Sequence, residues 1–277
     1  MPTALDATTA ARVRTLADHI EQTSGAPPLS DQALTQLQSS SVRHVLAASD
    51  TDGEAIVGYA QQAGPSVEIV ADEHSAGLLL DALAPLAPDA RIWSHGQRSP
   101  IAAALSARGL RQVRILHRLH RRLDEPPQSP RIPDGVRIRA FVPGSDEHAW
   151  LALNARAFAE HAEQGNWTIA DLQARENESW FDANGFLLAE RDAQLIGFHW
   201  TKNHGGELGE VYVLGVDPGA QGIGLGAALL AAGLVYLYET GCREVILYVD
   251  DENVGALRLY ERAGFDRADR DVQWGAP

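Results

Sequence analysis

Cysteine is almost missing from this chain, which has a single one, Cys242, among 277 residues. One cysteine cannot form an internal disulfide, and this fits a reducing compartment. Long hydrophobic runs are missing as well, since none approaches the roughly 20 apolar residues of a membrane-spanning helix. The first residues also lack the basic segment and apolar block of a secretory signal. We therefore expect a cytoplasmic protein with no membrane partner.

Positive charge is also scarce. The chain has 23 Lys and Arg against 37 Asp and Glu, which gives a formal net charge of −14. A nucleic-acid surface needs clustered cations to meet the phosphate backbone, so this balance argues against a nucleic-acid partner. It suits a substrate that carries an ammonium group, and it is equally an ordinary signal of solubility.

Proline, by contrast, is concentrated in one place. Four prolines fall within Asp124–Pro133, which is typical of a linker between domains. A chain of 277 residues is long enough for two ordinary domains. We therefore predict a first domain at 1–124, a linker at 125–134 and a second domain at 135–277.

Hydrophobic periodicity predicts alternating helices and strands in both domains. In the first domain we expect helices at 8–23, 31–37, 74–83 and 99–109, and strands at 43–48, 55–61, 66–71, 91–94 and 110–123. In the second we expect strands at 136–141, 186–190, 194–200, 211–216 and 244–249, helices at 146–158, 168–177, from 227 onward and at 253–264, and a loop at 159–167. Asp52-Gly53 indicates a hairpin turn, and Ser99 is the predicted cap of its helix.

The two domains look like copies of one fold. Ile56–Tyr59, with the sequence Ile-Val-Gly-Tyr, corresponds to Leu195–Phe198, with the sequence Leu-Ile-Gly-Phe. Further along, Gly109-Leu110 corresponds to Gly264-Phe265. The offset between matching residues grows along the chain, so the first copy is the shorter one.

The stretch Glu207–Tyr236 contains the predicted strand, turn and helix around which the second domain is built. An apolar strand, Val211–Val216, leads through a glycine-rich turn at 221–226 into an apolar helix that starts near Ala227. Such a turn binds anions, because glycine lets the main chain come close and the first N–H groups of the helix point at the ligand. The turn lacks the Gly-Lys-Ser/Thr of a nucleoside-triphosphate loop, and its Gly-x-Gly-x-Gly order differs from the dinucleotide pattern Gly-x-Gly-x-x-Gly.

A second pattern lies downstream, in a helix that Asn253 can cap and Gly264 can end. Ala256, Leu257 and Tyr260 share one face of this helix. Both patterns resemble the CoA-binding motifs of the GCN5-related N-acetyltransferases, Gln/Arg-x-x-Gly-x-Gly/Ala and Asn-x-x-Ala-x-x-Leu-Tyr-x-x-x-Gly-Phe. The matching residues are Gln221, Gly224, Gly226, Asn253, Ala256, Leu259, Tyr260, Gly264 and Phe265.

The resemblance implies an α/β (α+β) fold of two tandem domains, each with a mixed, mostly antiparallel central sheet flanked by helices. It also implies acetyl-CoA as co-substrate, without a metal. Positions 222 and 223, often basic in that family, are Gly and Ile here, which leaves Arg258 as a candidate helper beside the main-chain amides. The residues expected at acetyl-CoA are Leu214, Gly215, Val216, Gln221, Gly222, Ile223, Gly224, Leu225, Gly226, Ala227, Asn253, Val254, Gly255, Ala256, Leu257 and Arg258.

The first copy lacks this machinery. It has no Gln-x-x-Gly-x-Gly after its third strand, and Leu105 stands where the second copy has Tyr260. We therefore expect it to be catalytically silent. An unproductive CoA could still lie along the strand backbone of Ile69, Val70 and Ala71.

Three runs of the second half, at 161–167, 197–202 and 209–218, resemble the mycothiol synthase family. The resemblance implies transfer of an acetyl group to the cysteinyl amine of cysteinyl-glucosaminyl-inositol, the last step in making mycothiol. Two domains in one chain would act as a pseudo-dimer, so we expect a monomer. The residues implied at the acceptor are Asp31, which would act from the first domain, and Glu163, Lys202, Glu210 and Tyr248.

The chemistry of these residue types fits acetyl transfer. A free amino-acid amine titrates near ~8 and is largely protonated at neutral pH, so Glu210 would help as a base, directly or through water. A tyrosine has an ordinary pKa of about 10, so Tyr260 can protonate the departing thiolate, and an N–H within Leu214–Val216 would face the oxyanion. Two other readings stay open. The acceptor could be another amine (an aminoglycoside, a polyamine or a protein N-terminus), or the chain could be a non-catalytic acyl-CoA-binding module.

Overall fold

The computed structural model describes residues 3–49, 55–160 and 162–276, and of residues 31, 162 and 163 it describes the main chain alone. The hairpin signal at Asp52-Gly53 lies outside these ranges. The described residues form two compact units. The first contains the chain up to Arg118, the segment Asp250–Glu252 and the residues from Ala268 onward, and the second contains Leu119–Val249 and Asn253–Arg267. The units therefore do not follow the predicted boundaries residue for residue.

The first unit begins with two helices, each capped by a side chain. Asp6 accepts a hydrogen bond from the main-chain N–H of Thr9, and Ser30 accepts one from Ala33, which satisfies donors that the helix starts leave free. The elements are α1 (Ala7–Ser24), α2 (Asp31–Thr35), β1 (Arg43–Ala48), β2 (Ile56–Ala63), β3 (Ser66–Ala71), α3 (Glu73–Leu83), β4 (Arg91–Ser94), α4 (Ala102–Ala107) and β5 (Arg111–Arg122), of which the part up to Arg118 belongs here.

The second unit repeats this alternation after the linker. Its elements are β6 (Arg137–Ala140), α5 (Glu147–Ala157), α6 (Ala162–Gly165), α7 (Ile169–Glu176), β7 (Phe186–Arg191), β8 (Gln194–Asn203), β9 (Leu208–Val216), α8 (Leu225–Glu239), β10 (Glu244–Asp250) and α9 (Val254–Arg262). The chain ends with β11 (Asp266–Gly275), whose residues from Ala268 onward belong to the first unit.

Each unit has a mixed, mostly antiparallel sheet, which confirms the predicted fold class. In the first unit the strand order is β1-β2-β3-β4-β11, and β3 and β4 form the parallel pair. In the second the order is β6-β7-β8-β9-β10, and β9 and β10 form the parallel pair. Helices pack on these sheets through apolar faces, as α3 does with Leu79, Leu80 and Leu83.

The predicted repeat is visible in matching contacts of the two units. Gly58 pairs with Ala71 and Gly197 with Val216, and a Cβ added at either glycine would lie 2.9 Å from a leucine Cδ1 of the following helix. Each strand therefore needs glycine where a helix crosses it closely. Gly109 and Gly264 share a φ of +78°, a left-handed conformation that ends a helix.

Three local predictions differ from the structure. The helix expected from Ser99 starts at Ala102. Its N-terminal flanking residue is Ile101, whose side chain has no group that could cap it, and Ser99 lies in the preceding turn, where its N–H donates to the carbonyl of Gly96. The loop expected at 159–167 contains the short helix α6. Strand β11 was not expected, because its first half is charged and exposed; its position depends on pairing with β4, at Val272 opposite Ser94, which no local pattern reveals.

Aromatic packing fixes β8 in the second unit. The rings of Phe186 and Trp200 stack with centroids 4.3 Å apart, and Trp150 of α5 meets Trp200 edge-on at 5.8 Å. All three side chains are fully buried, and burial of one large apolar side chain is worth roughly 1.5–3 kcal/mol. The ring of Trp200 also meets that of Tyr212 on β9, with centroids 5.4 Å apart, so the cluster packs against the strand that carries the predicted site.

Helix α8 is held against the same sheet by a buried histidine. His199 donates from Nδ1 to the carbonyl of Leu229 at 2.8 Å. A Cβ added at Gly233 would lie 2.1 Å from the ring, so only glycine leaves it room. Burial lowers the pKa of His199 to about 4, so the ring is neutral at physiological pH. The middle of α8 is thereby held against β8.

Candidate active site

The turn between β9 and α8 is built for an anion. Gly222 and Gly224 have φ values of +81° and +86°, the left-handed region that favours glycine. A Cβ added at either would meet nothing within 4 Å, so glycine is required by conformation and the space above the turn stays open. Gly224 begins α8 without a side-chain cap, and the first turn of α8 has no acidic residue. The first N–H groups of the helix are therefore available to a ligand.

Strand β9 pairs with β10 only through its first three residues and separates from it further along the chain. The ladder of the two strands covers Leu208–Glu210 opposite Glu244–Ile246, whereas the ladder with β8 continues to Val216. The main chain of Leu214–Val216 consequently has no strand partner on its β10 side among the described residues. Amide groups of an extended ligand can pair there as a further strand would.

A cleft of about 1020 Å³ joins this edge to the turn and to α9. Gly215 lines it, and an added Cβ there would lie 2.7 Å from Phe198 and 3.1 Å from Phe158. Pro127 and Gln128 of the linker also line it, a role that the prolines alone did not indicate. Of the predicted acetyl-CoA residues, the cleft is lined by Leu214, Gly215, Val216, Gln221, Gly222, Gly224, Leu225, Gly226, Ala227, Asn253, Gly255, Ala256 and Arg258.

Three further residues predicted at acetyl-CoA are not among the described residues that line the cleft. The side chains of Ile223 and Val254 are exposed, and Leu257 is buried in the core beneath α9. Asn253 caps α9 by accepting a hydrogen bond from the N–H of Ala256 at 3.0 Å. Its side chain is therefore oriented by the helix before any ligand binds.

Tyr260 is buried in α9, one residue after Leu259, whose side chain lines the cleft. Its ring packs edge-on against Phe265 with centroids 5.9 Å apart. Burial raises the pKa of Tyr260 well above its usual value, so the hydroxyl keeps its proton at physiological pH. Within the described part of the chain this hydroxyl has no hydrogen-bond partner, and Tyr260 is not among the described residues that line the cleft.

Glu210 is held by a histidine that the sequence analysis missed. The Nε2 atom of His204 lies 2.6 Å from Oε2 of Glu210, and the carboxylate is largely buried. His204 sits at the hairpin between β8 and β9, where its N–H donates to the carbonyl of Leu208 at 3.0 Å. The sequence feature that could have indicated this contact is the pair of glycines after His204. Two glycines favour a tight turn, and a tight turn at this point brings His204 close to Glu210.

Aromatic and basic side chains surround the neighbouring part of β9. Nζ of Lys202, the residue paired with Glu210 across the sheet, lies 5.2 Å from the ring centroid of Trp180 and 5.9 Å from that of Tyr212. Arg175 donates from Nε to the hydroxyl of Tyr212 at 3.0 Å. Burial raises the pKa of Tyr212, so its hydroxyl stays neutral. Arg175, Trp180 and Tyr212 were not predicted as site residues.

The remaining predicted acceptor residues are less defined. Tyr248 is exposed on β10. Asp31 starts α2 in the first unit and Glu163 lies in α6, but both side chains lie outside the described part of the structure.

The first unit has the same framework with a different helix start. Asp72 caps α3 by accepting a hydrogen bond from the N–H of Ser75 at 2.7 Å, and this bond lowers the pKa of Asp72. A carboxylate thus occupies the position that an anion would need. Leu105 replaces the tyrosine, and its carbonyl accepts from Leu110 as that of Tyr260 accepts from Phe265. Ile69, Val70 and Ala71 are buried in β3, and the β3–β4 ladder ends before them, at Glu68.

Among the residues with described positions, no group of three or more His, Cys, Asp or Glu could hold a metal ion. Over the same residues, none of the helices combines the length and apolar character needed to cross a bilayer.

The comparisons with known proteins agree with this geometry. The model of the acetyltransferase (GNAT) family matches residues 149–265. A GCN5-related N-acetyltransferase from Sphaerobacter thermophilus superposes with a TM-score of 0.75 at 25% identity, over 99% of this chain and 94% of that one. A tandem GNAT protein from the clavulanic acid biosynthesis pathway superposes with a TM-score of 0.68 at 18% identity, over 99% and 96%, which shows the fold alone. Fold and site together define an N-acetyltransferase with two GNAT-type units.

Closer relatives identify the family. The chain is 46% identical to the mycothiol acetyltransferase of Thermomonospora curvata over 96% of this chain and 93% of the relative. It is 47% identical to that of Cellulomonas flavigena, over 91% and 81%. The chain belongs to the mycothiol acetyltransferase family, and the predicted membership is confirmed.

Proposed function

We propose that this enzyme transfers the acetyl group of acetyl-CoA to the cysteinyl amine of cysteinyl-glucosaminyl-inositol. The observation that carries the proposal is the cleft of the second unit, where an uncapped helix start meets the unpaired strand edge Leu214–Val216. The helix start suits a diphosphate, and the strand edge suits the amides of pantetheine. The acceptor is supported by the family, whose members are named for mycothiol acetylation.

Glu210 has the surroundings of a base. It would take a proton from the ammonium group, directly or through water, so that the neutral amine can attack the thioester carbonyl. The hydrogen bond from His204 keeps the carboxylate in one orientation, and orientation is a large part of catalysis by a positioned base. Lys202 lies beside Glu210 on the next strand and suits the hydroxyl-rich part of the acceptor.

Tyr260 would complete the exchange. When the new C–N bond has formed, an N–H within Leu214–Val216 stabilises the negative oxygen of the tetrahedral intermediate. The C–S bond then breaks, and Tyr260 gives its proton to the departing thiolate. The raised pKa of its buried hydroxyl ensures that the proton is present when the thiolate forms.

The first unit is proposed to be catalytically silent, because Asp72 caps its helix and Leu105 replaces the acid. The backbone of Ile69–Ala71 stays the candidate for a second, unproductive CoA. Asp31, Glu163 and Tyr248 stay proposed acceptor ligands. We further propose that the enzyme works as a monomer in the cytoplasm, consistent with its single, buried Cys242.

The test is an assay of CoA thiol release by the purified chain with acetyl-CoA and a panel of amines. We expect the highest kcat/KM with cysteinyl-glucosaminyl-inositol, and a large loss in a Glu210→Gln variant of nearly the same shape. A higher kcat/KM with a polyamine, an aminoglycoside or a peptide would overturn the acceptor. Absence of release with every amine would instead favour a binding module.

A further inference from the structure

Arginine supplies all the charged side chains that line the cleft, within the part of the chain that the structure describes. They are Arg121, Arg258 and Arg262, and none of the described Asp or Glu residues lines the cleft. The chain as a whole has a net charge of −14. A purely cationic lining in an acidic protein indicates that the cleft receives an anion.

Two of these arginines share one face of α9. Arg258 and Arg262 are four residues apart, so their side chains are neighbours on the helix surface. Leu259 on the same side lies 3.5 Å from the position of an added Cβ at Gly226, which places this face beside the start of α8. Neither arginine forms an ion pair with a described residue. Two adjacent like charges without a carboxylate are unfavourable and gain from a bound anion.

The third arginine comes from the end of β5. Nη1 of Arg121 donates to the carbonyl of Ala263 at 2.6 Å, at the C-terminal end of α9. That bond uses one of the five N–H donors of the guanidinium. Burial lowers the pKa of Arg121, and no carboxylate among the described residues compensates it. A partly desolvated cation that faces a cleft with free donors is typical of a phosphate site.

The turn at Gln221–Ala227 cannot neutralise CoA by itself. It offers main-chain N–H groups and no cationic side chain, since positions 222 and 223 are Gly and Ile. CoA carries a diphosphate and also a 3′-phosphate, a monoester with about −1.5 to −2 charges at neutral pH. The amides at the helix start suit the diphosphate. The more highly charged monoester needs side-chain cations.

We infer that Arg121, Arg258 and Arg262 form the binding site for the 3′-phosphate of CoA. The inference rests on the proposed function, because it assumes that acetyl-CoA occupies this cleft. It assigns a role to Arg121 and Arg262, and it explains how the enzyme binds CoA although the turn lacks basic residues. It also makes the site selective for CoA over the same molecule without its 3′-phosphate.

The experiment measures the dissociation constants of CoA and of 3′-dephospho-CoA for the full chain by titration calorimetry. Charged hydrogen bonds of this kind correspond to roughly 10- to 100-fold in affinity, so we expect the unmodified chain to prefer CoA by about that factor. In the triple variant Arg121→Gln, Arg258→Gln, Arg262→Gln, CoA should bind as weakly as dephospho-CoA, whose own affinity should barely change.

Two control variants separate charge from folding. Arg137→Gln removes an exposed arginine that pairs with Glu190 outside the cleft, and it should leave the preference intact. Arg121→Lys keeps the cation and should retain most of the preference, even if Arg121→Gln disturbs the end of α9.

Equal affinity of the unmodified chain for both ligands would overturn the inference while leaving the proposed function standing. An equal loss for both ligands in the triple variant would also overturn it, because the arginines would then serve the diphosphate or the fold. No measurable binding of either ligand to the unmodified chain would overturn the proposed function as well.

Discussion

His204 and Glu210 form a close pair, with Nε2 of the histidine 2.6 Å from Oε2 of the carboxylate. They are six positions apart in sequence, and the hairpin between β8 and β9 brings them together. A carboxylate that is already held in its reactive orientation does not have to be ordered when the amine binds, and this lowers the entropic cost of the reaction. His204 is therefore a positioning residue, which acts through Glu210.

Replacing this histidine should reduce turnover without affecting acetyl-CoA. In a His204→Ala variant Glu210 loses its donor, and we expect kcat/KM for the acceptor to fall roughly 10- to 100-fold, the cost of a misplaced catalytic group. The dissociation constant of CoA should not change. Steady-state kinetics and calorimetry give both values, and His148→Ala, an exposed histidine of α5, is the control. An unchanged kcat/KM would remove His204 from the mechanism.

If Tyr260 is the general acid, removing its hydroxyl should reduce the turnover rate and leave the stability of the fold unchanged. Its hydroxyl has no partner within the described residues, so Tyr260→Phe should leave the melting temperature nearly unchanged. We expect kcat to fall roughly 10²- to 10⁴-fold, the usual contribution of general acid–base catalysis. Because burial raises the pKa of Tyr260, its ionisation should add no alkaline limb to the pH–rate profile near neutrality. Undiminished turnover in the variant would exclude it as the acid.

The left-handed glycine at the start of α8 should be needed for CoA binding. In Gly224→Ala the residue has φ near +86°, which costs an alanine about 1 kcal/mol, so the turn should relax and its N–H groups should lose their alignment. We expect CoA affinity to fall by about 10-fold or more. Gly144→Ala tests the same strain elsewhere, because Gly144 has a φ of +82° in a loop before α5. If both variants weakened CoA binding equally, the turn would have no special role.

The first unit should lose stability as the pH rises above neutrality. Burial alone would lower the pKa of His95, but two carboxylates outweigh it and raise the pKa to about 9. They are Asp271, with Oδ2 3.2 Å from Nδ1, and Glu68, with Oε2 3.5 Å from Nε2. Folding therefore favours the imidazolium. Its contribution is complete below about 6.5, the usual pKa of histidine, and is lost as the pH passes through about 9.

The measurement is the melting temperature of the chain and of a His95→Gln variant from pH 6 to pH 9.5. We expect the variant to be clearly less stable at pH 6 and the difference to shrink as the pH rises. The exposed His148→Gln should show no such trend. A difference that stays constant with pH would mean that the charge of His95 does not contribute to stability.

Three features could be predicted from sequence because residues close together in the chain determine them. They are the glycine turn before α8, the cap of α9 at Asn253, and the motifs that the two domains share. Gly58 and Gly197 are informative for the same reason, since a glycine inside an apolar strand marks close approach. Arg121 and Tyr212 depend on contacts that strand pairing creates, and nothing local indicates them. For His204 the only local indication is the pair of glycines that follows it. Strand β11 was not predicted for the same reason. Its charged first half has the composition of a loop, and only pairing with β4, a strand far away in sequence, shows that it belongs to a sheet.

Hydrogen exchange of main-chain amides, measured with and without CoA, would show whether CoA binds at the turn before α8. We expect CoA to slow exchange at Gln221–Ala227 and at Leu214–Val216, where free N–H groups would bind the diphosphate and the pantetheine. We expect no comparable slowing at the capped start of α3, from Asp72 to Ser75. Slowing at α3 without any at Gln221–Ala227 would mean that CoA does not bind at this turn.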